Sequence, residues 1–200
     1  MSIERIKDPF GQAMAKASWI LKRKSKEVVH VSFNTVLARS FFAKLFYITE
    51  RNAVYIEDCM NMEDCVDVAE AARYNMDRLL DECAIVQSHL LAMENKITQQ
   101  MQNLGVCSAT NSAISGEVRI MSMIGRKWLD LIILADHIAL KADALWLMQR
   151  ISGSEREDWT MSCRSLLNQI VETAKEGYFD VTDTYRSNQI MLKKMKNHVA

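Results

Sequence analysis

One stretch limits the fold more than any other. Residues 116–151 read GEVRIMSMIGRKWLDLIILADHIALKADALWLMQRI. The opening alternates, with Val118 and Ile120 pointing one way and Arg119 and Met121 the other. That is the period of a strand with one covered face. Gly125 reads as a turn, and from Arg126 the period lengthens. Trp128, Leu129, Ile132, Ile133, Ala135, Ala139, Leu140, Trp146, Leu147 and Ile151 recur at threes and fours. This predicts a helix of about seven turns that is apolar over more than half its girth. Such a helix belongs at the centre of a fold, where its surface leaves water.

The same layout occurs earlier in the chain. In Glu27–Phe33, Val29, Val31 and Phe33 can face a core while Val28, His30 and Ser32 face out. Asn34 or Thr35 is placed to cap a helix whose apolar side holds Val36, Leu37, Phe41, Phe42, Leu45, Phe46 and Ile48. VHVSFNTVLARSFFAKLF and VRIMSMIGRKWLDLII both give an alternating strand, then Arg, an aromatic and paired apolar positions. With a small gap they match as a pseudo-repeat.

Around these units the reading is helical. One Pro and six Gly in 200 residues leave few breakers. Asp8-Pro9 starts a first helix, which runs into Lys22-Arg23-Lys24-Ser25-Lys26. Ala53–Ile56 fits a short strand or a packed loop. From about 61 to 104 comes the longest periodic segment, with a seam of Leu79, Cys83, Val86, Leu90, Met93, Ile97, Met101 and Leu104. A helix of that length, roughly 65 Å, must pack along a partner or break near Met76. A homodimer through this seam is the expectation, because a long apolar stripe is costly to leave in water. Gly105 stops the helix, and 106–115 is a small polar loop. Ser154–Glu157 has capping-box spacing, Gly177 ends the next helix, and Asp180–Asn197 forms the last.

The fold class expected is mainly α. It is a helical bundle with a two-stranded antiparallel ribbon, of ribbon–helix–helix kind, and a long helix. One domain spans 1–200, in units 27–60, 61–105, 117–152 and 153–200. The ribbon pairs residues near 28–33 with residues near 117–123.

Composition excludes several classes. Hydrophobic residues make 49% and charged residues 25%, so the chain is globular rather than disordered. MSIERIKDPF gives no reason to expect a signal peptide, and no apolar run is long enough to span a membrane. Cys59, Cys65, Cys83, Cys107 and Cys163 are odd in number and form no CxxC pair. They read as reduced thiols of a cytoplasmic protein. Net charge is zero but unevenly spread. Residues 1–51 carry ten basic and four acidic side chains; residues 57–82 carry nine acidic and two basic. A polyanion partner is therefore confined to one side of the molecule.

No catalytic or nucleotide-binding motif occurs, and nothing argues for an enzyme, a metal or a cofactor. Asp136-His137, with Asp143 nearby, reads as a hydrogen-bonded structural pair, because adjacent residues do not share a helix face. Binding chemistry remains. A two-stranded ribbon can enter a DNA major groove and present its outward residues to base edges. His30, Ser32 and Arg119, with Glu117 or Met121, share that face. Lys22, Arg23, Lys24 and Lys26 are the candidate phosphate contacts, Arg39, Arg126 and Lys127 are further candidate DNA-binding residues, and helix starts beside the ribbon would meet phosphates as well. The competing reading is a small sheet that merely caps a helical adaptor or assembly protein.

A resemblance bears on this choice. Trp128-Leu129-Asp130-Leu131-Ile132, Ala135-Asp136 and Ala142-Asp143-Ala144-Leu145-Trp146-Leu147 resemble the AcaB-like transcriptional regulators of conjugative plasmids and integrative elements. The likeness covers mainly residues 117–151, with a similar layout from about Val28. Where the family usually has Thr before Leu-Trp, this chain has Ala144. The resemblance implies a DNA-binding activator of transfer genes.

Overall fold

The computed structural model describes residues 26–106 and 113–199, the side chains as far as Met191. The helix expected from Asp8 lies outside these residues, as do Cys107 and most of the polar loop. Strand β1 (Glu27–Phe33) leads through Asn34-Thr35 into a helical arm. That arm is α1 (Val36–Phe41), a π turn (Phe42–Phe46) and α2 (Tyr47–Cys59). A short link leads to α3 (Val66–Asn103). Strand β2 (Ile114–Ile120) is followed by α4 (Met123–Leu147) and then α5 (Gly153–Val199).

The expected antiparallel ribbon forms, with both strands from one chain and its second strand three residues earlier than expected. β1 pairs antiparallel with β2, from Glu27 opposite Ile120 to Phe33 opposite Ile114. Val31, Phe33, Val118 and Ile120 are buried beneath it. Met121 is also buried rather than outward.

Gly125 is not a turn. The helix already starts at Met123, where the Ser122 side chain accepts the Gly125 amide at 2.8 Å. Glycine stands there because a Cβ at 125 would overlap the Glu50 carboxylate. Gly177 likewise does not end a helix. α5 runs unbroken through it for 47 residues, about 70 Å at 1.5 Å per residue. A Cβ at 177 would come within 3.1 Å of Asn75 and Ile56, so this glycine lets α5 approach α3 and α2 closely. The capping box is Ser152 with Glu155, two residues before the expected one. Ser152 N donates to Glu155 at 2.7 Å, and Glu155 N donates to Ser152 Oγ at 3.1 Å. Ala53–Ile56, read as strand or loop, lies inside α2 and is buried or nearly so.

The long periodic segment is a single helix, α3, of 38 residues. It is not broken near Met76. Its seam is covered by the chain itself: Leu79, Val86, Leu90 and Ile97 have no exposed surface, and α3 packs along α4 and α5. That burial removes the seam as an interface for a second copy. Cys59, Cys83 and Cys163 are buried free thiols, and burial pushes those of Cys83 and Cys163 up to about 12.

The pseudo-repeat is visible in the register. Thr35 and Ser122 cap their helices and stand 87 residues apart. The same offset relates Val31 to Val118, Phe33 to Ile120, Leu37 to Ile124 and Phe41 to Trp128, all buried. It carries the strand ladder onto itself, with His30 opposite Glu117 at the centre. Phe41 and Trp128 meet edge to face at 6.3 Å, as residues on either side of a pseudo-dyad should. The long helices begin at Val66 and Gly153, again 87 apart. Across the strands, caps and first helical turns this single offset holds without the expected gap; the π turn lies beyond them, in the first arm alone.

Candidate nucleic-acid interface

Alternation alone decides which ribbon side chains face out. They are Val28, His30 and Ser32 on β1, and Ser115, Glu117 and Arg119 on β2, all exposed. They form three rungs: Val28 with Arg119, His30 with Glu117, and Ser32 with Ser115. The last rung is closed by a 2.6 Å hydrogen bond between its hydroxyls. The structure thus brings His30, Ser32 and Arg119 onto one face, and Glu117 joins them.

The cations behave less uniformly. Lys22, Arg23 and Lys24 lie outside the described residues. Lys26 enters the ribbon at the Arg119 end, where its amide donates to Ile120 O at 2.8 Å, and its ammonium pairs with Glu57. Arg126 stands at the same end, bound to Glu27 at 2.7 Å and Asp130 at 3.2 Å. Lys127 is exposed but lines a cleft with Cys83 and Gln87 of α3. Arg39 is half-buried. Its guanidinium donates to Phe33 O at 3.2 Å and Asn34 O at 3.1 Å, which ties the strand end to the helix. Arg39, a candidate DNA-binding residue, thus straps the strand end to the helix.

Two buried acids hold the ribbon onto its helices. Asp136 is 1% exposed. One of its oxygens accepts from Thr35 N at 2.7 Å and Thr35 Oγ1 at 2.6 Å. The other accepts from Asn34 N at 2.8 Å and Asn34 Nδ2 at 2.9 Å. Asp136 is thus structural, but its partners are Asn34 and Thr35, while His137 is exposed. Asp143 instead pairs with Arg156 at 2.5 Å. The second acid, Glu50, accepts with one oxygen from Met121 N at 2.5 Å and Ser122 N at 3.2 Å. Burial outweighs these amide bonds and pushes its carboxyl up to about 7. The amides leading into both helices therefore already bond carboxylates, contrary to the expectation that they meet phosphates. Sequence reading passed over Glu50. Its signal was a single acid on the apolar face of an arm, 15 residues after the capping Thr35, as Asp136 stands 14 after Ser122.

What the arrangement offers chemically is a small, shaped, two-stranded face with mixed donors and acceptors and its charge gathered at one end. Among the described residues, no group of three or more His, Cys, Asp or Glu is placed to hold a metal ion, and no helix is long and apolar enough to cross a membrane.

No family model and no curated protein matches this chain. Among solved structures, the chain is similar to that of selenomethionine-containing AcaB from uropathogenic E. coli. The TM-score is 0.66 and the identity 15%, over 82% of this chain and 86% of that one. At this identity the likeness is one of fold.

Proposed function

We propose that this protein is a DNA-binding regulator of genes on a mobile element, acting in the cytoplasm without catalysis or cofactor. One observation carries the reading: a ribbon built within one chain, with an outward row of base-reading residue types. A ribbon of this kind fits the major groove, and the cluster from Lys22 to Lys26 leads into its charged end. Two further points support it. The fold is shared with AcaB, and residues 117–151 resemble the family whose members activate conjugative transfer genes. The buried acids, which would be the natural general acids or bases, are engaged with backbone amides instead.

Titration of wild type and Arg119→Ala against a selected and a scrambled duplex, at two salt concentrations, tests this. Loss of Arg119 should weaken the selected duplex by about 1–3 kcal/mol and the scrambled one far less. Neutralising Lys22, Arg23 and Lys24 should weaken both and flatten the salt dependence by about one log–log unit per lost contact. Absence of binding to any duplex at low salt would reject the regulator and leave the adaptor. That second reading draws on exposed Tyr74, Phe179 and Met191 on the long helices.

A further inference from the structure

The ribbon's pseudo-dyad makes a sharper statement possible, and it rests on the DNA reading above. The 87-residue relation carries the Val28–Arg119 rung onto the Ser115–Ser32 rung and leaves the His30–Glu117 rung in place. A ribbon made by two identical chains carries the same residue at related positions, so it matches a site with the same symmetry. Here every outward related pair differs: Val28 and Ser115, His30 and Glu117, Ser32 and Arg119.

The ends differ in charge as well as in shape. The Arg119 end also holds Lys26, paired with Glu57, and Arg126, paired with Glu27 and Asp130. At the far end, the uncharged Ala113 is the counterpart of Lys26. Arg39, the counterpart of Arg126, donates to strand-end carbonyls. The far rung is two hydroxyls that bond each other, which leaves them less committed to any base. In the outward row, the arginine that attracts a polyanion is also the side chain best shaped to read a base, Arg119, and it stands at one end.

We propose that one chain reads an oriented, non-palindromic DNA sequence, with selectivity concentrated at the Arg119 end and Glu117 as a specificity-determining residue. Arg119 has the fork that matches guanine O6 and N7. Glu117 is an acceptor suited to the cytosine amino group, and Val28 offers an apolar contact to a thymine methyl. A carboxylate in this position adds nothing to phosphate attraction, since its charge opposes it. Its benefit is choice among bases rather than affinity. A second chain on the same DNA would add an inverted copy of the motif beside the first and leave each copy asymmetric.

Selection from a random duplex pool, with the full-length chain, tests this. Wild type should yield a motif that is not self-complementary within one ribbon footprint, with most of its information in one half. Glu117→Gln should reduce preference at one position by about tenfold and leave scrambled-duplex binding unchanged or stronger. Ser32→Arg places at the related position the side chain that Arg119 supplies, and should shift the motif toward a self-complementary one. Ser32→Val with Ser115→Val, the milder change at that end, should leave the Arg119 half of the motif intact. A palindromic motif within one footprint, or base preferences indifferent to Glu117→Gln, would overturn the proposal while the regulator reading stands. Failure of wild type to select any duplex would overturn both.

Discussion

In the first strand–helix unit the amides of Asn34 and Thr35 are held by Asp136, from the second unit. In the second, the amides of Met121 and Ser122 are held by Glu50, from the first. Each half of the ribbon is thus fastened by an acid from the other half's helix. The fastenings are related in place but not in quality. Asp136 uses both oxygens and accepts four hydrogen bonds. Glu50 uses one oxygen for two, and its other oxygen has no hydrogen-bond partner among the described residues. The longer side chain sits on the arm that carries the extra π residue, so the same clamp is reached by a different path. A duplicated geometry can persist while its parts diverge, and divergence here leaves one copy well satisfied and the other with a buried oxygen short of partners.

The largest expected effect separates the two clamps directly. Asp136→Ala removes the acceptor from two backbone amides, a hydroxyl and a side-chain amide. It should destabilise the fold by about 3–4 kcal/mol, because buried donors left without partners cost about 1–3 kcal/mol each. Glu50→Ala should cost about half as much at about pH 7.5, since only two amides lose a partner and a poorly satisfied buried acid is removed with them. Urea denaturation of both variants measures the difference. Equal losses would mean the clamps are interchangeable and the comparison empty.

A smaller effect sharpens the contrast through pH. Glu50 has its folded-state carboxyl raised from 4.5 to about 7, chiefly by burial, with Glu57 raising it further and the Met121 and Ser122 amides and Lys26 opposing. Between these values the folded chain keeps a proton that the unfolded chain has lost. Its contribution is present in full below the unfolded value, falls as pH rises, and is gone above about 7. The loss is on the order of 3 kcal/mol. Glu50→Gln should flatten this slope between about pH 4.5 and 7, which chemical denaturation at several pH values would reveal. An unchanged slope would show that the buried acid is not what titrates.

How much of this was legible depended on range. Strand alternation is local, so Val31, Phe33, Val118 and Ile120 could be placed inside, and His30, Ser32 and Arg119 outside, from their neighbours alone. The seam from Leu79 to Met101 was legible for the same reason, though not that α4 and α5 would cover it. Gly125 and Gly177 misled because their role is steric and distant. Each makes room for a residue far away in sequence, Glu50 in one case and Asn75 and Ile56 in the other, and nothing nearby distinguishes that from a helix stop. Arg39 read as a DNA-binding candidate because a guanidinium's type is legible in a sequence and its carbonyl partners are not. Glu50 was missed because an acid on an apolar face makes sense only once the strand from the other unit has been laid across it.

The smallest expected effect asks why the second unit has Gly125 where the first has Ala38. These positions are related by the same 87 residues and both lie in the first turn of a helix, close to the clamp. Ala38 is fully buried, its amide donating to Thr35 Oγ1 at 3.3 Å, and the acid that holds Thr35 is an aspartate, one methylene shorter than glutamate. At Gly125 the longer Glu50 fills the space a methyl would need. Two terms then oppose each other in Gly125→Ala. Helix propensity favours alanine by about 1 kcal/mol, while forcing a methyl into an occupied buried site costs about 1–3 kcal/mol. The steric term should win, with a net loss of about 1 kcal/mol. Shortening the acid should reverse the sign: in a Glu50→Asp background, Gly125→Ala should be neutral or stabilising, a non-additivity that a double-mutant cycle detects. Ala38→Gly, with no acid to relieve, should simply cost about 1 kcal/mol from the helix. If Gly125→Ala instead raises stability with Glu50 present, the glycine is not there for the acid, and the two first turns differ for some reason other than the length of the side chain that clamps them.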